Sequence, residues 1–110
     1  MFRRKHATDV ETAARLHQEG ALLLDVRTKN EFVAGHVPGS THVSLQSLPN
    51  RSDWLEKIAN DRQVLVICRS GNRSGKAASQ LRALGLDALN VRGGMIAWER
   101  QGLPTRTGKR

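Results

Sequence analysis

The sequence predicts an α/β fold: a mostly parallel central sheet of about five short strands, with helices on both faces. Three observations carry this. At 110 residues the chain holds one domain and one core. Helical patterns alternate with short apolar runs, so successive strands need crossovers and lie parallel. The clearest runs, residues 21–24 and 64–68, are apolar without alternation, as in strands buried on both faces.

The elements follow in order. Thr8-Asp9-Val10-Glu11 reads as a capping box with Thr8 as N-cap. The helix it opens runs through Leu16 and stops near Gly20. Residues 21–25 form the first strand. Thr28-Lys29-Asn30-Glu31 is a second capping box, for a short helix ending at Gly35. Val37-Pro38-Gly39 is a turn, and residues 41–44 make a short strand. Asn50 or Ser52 caps a helix carrying Trp54, Leu55 and Ile58, with Trp54 half-buried. Residues 63–68 form the strongest strand and end on Cys68. A loop through Gly71 leads into a helix with Ala77, Ala78, Leu81 and Leu84 at helical spacing, closed by Gly85. Residues 88–91 are one more strand, Gly93-Gly94 a turn, and residues 95–101 a last helix. Met95 and Trp98 on it read as core or pocket wall.

Hydrophobic residues are 38% of the chain and charged residues 25%, a globular balance and not a disordered one. No apolar run approaches the ~18 residues of a membrane helix, so no membrane partner is expected. The first six residues are basic like the start of a secretory leader, but no apolar stretch follows, which points to the cytoplasm. The single cysteine, Cys68, excludes an internal disulfide and a multi-cysteine zinc site. His6, His17 and His42 show no ligand spacing, so no metal is expected.

Eighteen basic and ten acidic residues give a net charge of +8. Seven of the basic residues sit in two acid-free end segments, 1–6 and 100–110: Arg3, Arg4 and Lys5, then Arg100, Arg106, Lys109 and Arg110. The reading is a single domain over residues 1–110 with a core of about 8–104. The tails, 1–6 and 105–110, are expected to be mobile. The body is nearly neutral, and with two Trp, two Phe and no Tyr it offers little for base stacking, so nucleic acid is not expected. One asymmetry survives in the body. Residues 62–86 hold Arg62, Arg69, Arg73, Lys76 and Arg82, and no acid. Cys68 lies among them.

Ligands of open α/β sheets collect beyond the carboxyl ends of the strands. Cys68 falls at that edge, followed by Arg69-Ser70-Gly71-Asn72-Arg73-Ser74 and a helix. Gly71 and Asn72 tolerate unusual backbone angles, so the loop can turn successive N–H groups inward as an anion nest. The helix start adds positive potential, and Arg69 and Arg73 add charge. Each favours a thiolate, whose pKa falls from ~8.5 to ~3.5–7.5 in such surroundings. A cysteine ending a buried strand is ordinarily a core residue. Packing does not explain the Gly/Arg/Ser loop and helix start behind it.

The chain resembles a single-domain rhodanese, a thiosulfate-type sulfurtransferase. Leu23-Leu24-Asp25-Val26-Arg27 with Glu31-Phe32, then Gly35-His36-Val37-Pro38-Gly39, resembles that family's first signature. The run from Cys68 to Ser74 resembles its active-site loop. Gly93-Gly94-Met95-Ile96-Ala97-Trp98 with Gly102-Leu103-Pro104 resembles its closing signature. The resemblance implies a rhodanese-like fold in which Cys68 takes a sulfane sulfur from thiosulfate or a persulfide donor. It then passes the sulfur to cyanide or a thiol. Arg69, Ser70, Gly71, Asn72, Arg73 and Ser74 would cradle sulfur and departing anion. No cofactor is implied, because sulfur rides on the protein itself.

Asp25, Arg27, Glu31 and His36 read as structural support of the site. Arg27 and Glu31, four apart, are expected to pair. His36 has the chemistry of a general base, but its place in a Gly–His–Val–Pro–Gly turn favours a structural role. Two other functions share the sequence. Cysteine phosphatases and arsenate reductases also use a thiolate in an anion nest, but with five residues between Cys and Arg. Here four separate Cys68 from Arg73, a cup better sized for one sulfur atom. The other is a sulfur-delivery module whose acceptor is a protein partner.

Overall fold

The computed structural model describes residues 6–110. The strands are β1 (Ala7–Thr8), β2 (Leu22–Asp25), β3 (Thr41–His42), β4 (Val64–Ile67) and β5 (Ala88–Val91). They form one parallel sheet in the order β1-β5-β4-β2-β3, with Leu23 beside Leu65 and Leu65 beside Leu89. The helices are α1 (Val10–Gln18), α2 (Lys29–Ala34), α3 (Leu48–Ala59), α4 (Asn72–Ala83) and α5 (Gly94–Arg100), with a 3-10 turn at Leu45–Ser47.

The unbroken apolar runs are central strands, as expected. Every residue of β2 and β4 is buried. Because side chains alternate across a strand, each run feeds two cores. Leu24, Val66 and Cys68 pack with Leu55 of α3 and Ala77 and Leu81 of α4. Leu23, Leu65 and Ile67 pack on the other face with Ala13 of α1 and Trp98 of α5. Helices thus cover both faces, and all carboxyl ends share one edge. No helix among the described residues is long and apolar enough to cross a membrane.

Local chemistry explains several boundaries and corrects others. The capping box at Thr28 and Glu31 is present. The one expected at Thr8 is not. Thr8 lies in β1, whose pairing with β5 takes its backbone, and Asp9 caps α1 by accepting from Thr12 N–H at 2.8 Å. The third helix is capped at Ser47 and starts at Leu48, instead of being capped by Asn50 or Ser52, because the 3-10 turn runs straight into it and Pro49 fits its first turn. Trp54 is 38% exposed, with the Arg51 guanidinium 4.2 Å above its ring. Met95 and Trp98 are core.

The tails also need correction. Arg3, Arg4 and Lys5 lie outside the described residues. The C-terminal tail, expected to hang free, is tied to the body. Arg106 exchanges backbone hydrogen bonds with His36, both at 2.9 Å, and Gly108 N–H donates to Val33 O at 2.9 Å.

Candidate active site

Cys68 stands one residue past β4 at the carboxyl edge and is 1% exposed. Its sulfur accepts from Gly71 N–H at 3.1 Å and lies 3.2 Å from Ser74 Oγ. Gly71 makes the turn with φ +107°, a conformation suited to glycine. α4 begins at the next residue, so its free N–H groups open toward the loop.

The loop is held from behind by α5. Met95 N–H donates to Cys68 O at 2.8 Å and Ile96 N–H to Arg69 O at 3.1 Å. Those carbonyls satisfy the first N–H groups of α5. The contact requires Gly94. A Cβ there would lie 2.3 Å from Cys68 O and 2.5 Å from Arg69 O. In the sequence Gly93-Gly94 reads as a turn and as the start of the closing signature, without this contact.

Burial works against a charged sulfur. Hydrogen bonds from the Ser74 hydroxyl and from the N–H groups of Ser74, Gly71 and Ser70 outweigh it, so the Cys68 thiol lies below its ordinary value. The arginines contribute less than the sequence suggested. The Arg73 guanidinium turns to Glu31, with Nη1 at 2.7 Å from Oε1 and Nη2 at 2.8 Å from Oε2. Cys68 feels its charge through space, not through a bond. Arg69, Ser70 and Asn72 are exposed on the rim.

The Arg73 bonds hold the Glu31 carboxyl at about 2, helped by the Thr28 N–H and hydroxyl. The same bonds raise Arg73 above its ordinary value. The expected Arg27–Glu31 pair is therefore not formed. Arg27 precedes the N-cap of α2, so the two residues do not share a helix face. Arg27 instead forks onto Asp25, with Nε and Nη2 at 2.7–3.1 Å, and donates from Nη2 to Gly35 O at 2.7 Å. This pair is buried, and it ties the end of β2 to the turn after α2.

His36 is fully buried, stacked on Phe32 at 3.8 Å, with Nδ1 2.8 Å from Phe32 O. None of its hydrogen bonds reaches the Cys68 loop. A recess of about 220 Å³ lined by Val26, Thr28, Ser44, Leu45, Gln46 and Arg73 opens beside the start of α4.

One residue of the site was missed in the sequence. Asn90 of β5 donates from Nδ2 to Gly71 O at 3.1 Å, and its Oδ1 lies 2.5 Å from Ser74 Oγ. Its signal was a lone amide inside the apolar run Ala88-Leu89-Asn90-Val91.

The fold is that of rhodanese-like domains. The solved structure of a rhodanese-related protein from Thermoplasma volcanium superimposes with a TM-score of 0.80 at 31% identity, over 92% of this chain and 97% of that one. Residues 8–101 match the Rhodanese-like domain family, and the chain belongs to it. A sulfurtransferase of Allochromatium vinosum is 41% identical over 87 residues, 78% of each chain. The thiosulfate sulfurtransferase GlpE of Pseudomonas savastanoi pv. phaseolicola is 36% identical over 89 residues, 80% of this chain and 81% of that one.

Proposed function

We propose that this protein is a thiosulfate sulfurtransferase in which Cys68 carries the sulfur. The observation that carries the reading is the sulfur's own surroundings: Gly71 N–H and the Ser74 hydroxyl converge on Cys68 Sγ at the carboxyl edge of the central strand. Such donors stabilise a thiolate, and the N–H groups of the loop then hold the anion formed on the outer sulfur. The Cys68 thiolate attacks the sulfane sulfur of thiosulfate. An S–S bond forms, the S–S bond of thiosulfate breaks, and its electron pair leaves with sulfite. Cyanide or a thiolate then takes the outer sulfur, and the bonding pair returns to Cys68 as thiolate. Two half-reactions through a covalent intermediate give ping-pong kinetics. The N–H groups from Ser70 to Ser74 hold the anions, and Arg69 and Arg73 draw the dianion to the rim. Asp25, Arg27, Glu31 and His36 fix the neighbouring turns.

A phosphatase reading is disfavoured by Arg73. A phosphoryl group needs a guanidinium over the cup, and here both of its terminal nitrogens engage Glu31. Intact mass after incubation with thiosulfate tests the proposal. Wild type should gain one sulfur atom that cyanide removes, and Cys68→Ser should gain none. Turnover of thiosulfate and cyanide by Cys68→Ser would sink the assignment.

A further inference from the structure

We propose that Asn90 is a positioning residue whose side-chain carbonyl competes with the Cys68 sulfur for the one hydroxyl proton of Ser74. The proposal rests on Cys68 being the sulfur-carrying nucleophile. Ser74 Oγ lies 3.2 Å from Cys68 Sγ and 2.5 Å from Asn90 Oδ1. A serine hydroxyl has one proton and cannot donate to both. Asn90 cannot supply another. Its Nδ2 is engaged with Gly71 O, which turns Oδ1, an acceptor only, toward Ser74.

Two oxygens at that distance need a proton between them. With Cys68 as a thiol, the Ser74 proton therefore lies on the Asn90 side, and the S–H group can donate to Ser74 Oγ. A thiolate can only accept. Turning the Ser74 proton to sulfur adds a donor beside the N–H of Gly71, and Oγ and Oδ1 then face each other without a proton. Asn90 thus opposes the thiolate that Ser74 stabilises.

The same exchange runs through sulfur transfer. Once the thiolate has taken sulfur from thiosulfate and released sulfite, the negative charge sits on the outer sulfur. Sγ no longer needs the Ser74 proton, which returns to Asn90. When the acceptor removes the outer sulfur, the electron pair comes back to Sγ and Ser74 turns again. Asn90 therefore favours the loaded protein over the bare thiolate.

The charged groups around the loop are Arg69 on the loop, Arg73 on α4, Glu31 on α2, and Asp25 and Arg27 at the end of β2. Arg73 is paired with Glu31 and Arg27 with Asp25. Among the described residues none of these five has a hydrogen bond to the side chain of Ser74 or Asn90. The hydroxyl proton of Ser74 on α4 is thus divided between two acceptors, the Cys68 sulfur just past β4 and Asn90 Oδ1 on β5, apart from those ion pairs.

The test is the pH dependence of iodoacetamide alkylation at the single cysteine, read by intact mass. Asn90→Leu keeps the size and removes both polar atoms, and Asn90→Ala removes them with less bulk. Gly71 O keeps its bond from Gly75 N–H at 3.1 Å in either variant. Both variants should lower the alkylation midpoint, with reaction about three- to tenfold faster on its acid side, the size of one hydrogen bond. Ser74→Ala should raise the midpoint, and adding Asn90→Leu to it should change nothing. An unchanged or raised midpoint in the Asn90 variants, or the same shift in the Ser74→Ala background, overturns the proposal. Sulfur loading from thiosulfate, measured in parallel, separates the two readings. A wild type that takes up no sulfur refutes the assigned reaction and leaves the midpoint comparison standing.

Discussion

Glu31→Gln removes one charge from the contact that holds α2 to the start of α4. The wild-type carboxylate receives both terminal nitrogens of Arg73, at 2.7 and 2.8 Å, and also accepts from Thr28 N–H at 3.0 Å. Glutamine can still accept from Thr28, so the change isolates the charge. A carboxyl held at about 2 instead of 4.5 would carry about 3 kcal/mol if the whole shift were coupled to folding. The side chains are 36% and 30% exposed, and water screens the pair, so roughly 1 kcal/mol remains. The native pKa is depressed. The stabilisation is therefore full above the unfolded value of 4.5 and is lost as pH falls through about 2. Urea unfolding of wild type and Glu31→Gln at pH 7, 4.5, 3 and 2 gives the assay. The gap should be about 1 kcal/mol at pH 7, or about 4–8 °C in Tm, and should shrink steadily below pH 5. A gap of equal size at every pH, or none at pH 7, refutes the account of this contact.

Two further changes probe the frame of the site. Gly94→Ala forces a Cβ into the carbonyls of Cys68 and Arg69 at a residue with φ +54°, and should destabilise by about 2–4 kcal/mol in urea and impair sulfur loading. Normal stability in that variant would show that α5 does not clamp the loop. Deleting residues 106–110 removes three backbone hydrogen bonds to His36 and Val33, and should cost about 1–3 kcal/mol of stability. The deletion should change kcat/KM for thiosulfate less than Arg73→Ala does at the same ionic strength. A larger effect of the deletion would place the tail in the substrate's path.

Much of the site's frame was legible before folding. Cys68 could be placed at the carboxyl edge because the run from Val64 is apolar without a break and ends on the cysteine. The Thr28–Glu31 capping box could be read because both partners lie within one helical turn. β1 could not. It has two residues, and its pairing is supplied by β5, some eighty residues away. The Asp9 cap was misplaced for the same reason, since pairing with β5 takes Thr8 out of the helix start.

The charge pattern shows the division most clearly. The sequence by itself determined that Arg69 and Arg73 flank Cys68 and that no acid lies between residues 62 and 86. It could not tell that Glu31, 42 positions away from Arg73, would meet it across the sheet edge. A count along the chain records charge, whereas an ion pair needs two groups within about 4 Å. Asn90 and Gly94 belong to the same class. In sequence they are an amide in a strand and half of a turn. Only the docking of β5 beside β4, and of α5 against the loop, brings one to Ser74 and the other to the carbonyl of Cys68. Local chemistry, written within a few residues, fixed the place of Cys68, its strand and its turn. Long-range packing decided which hydrogen bonds reach the sulfur, because those partners meet only after the sheet has formed.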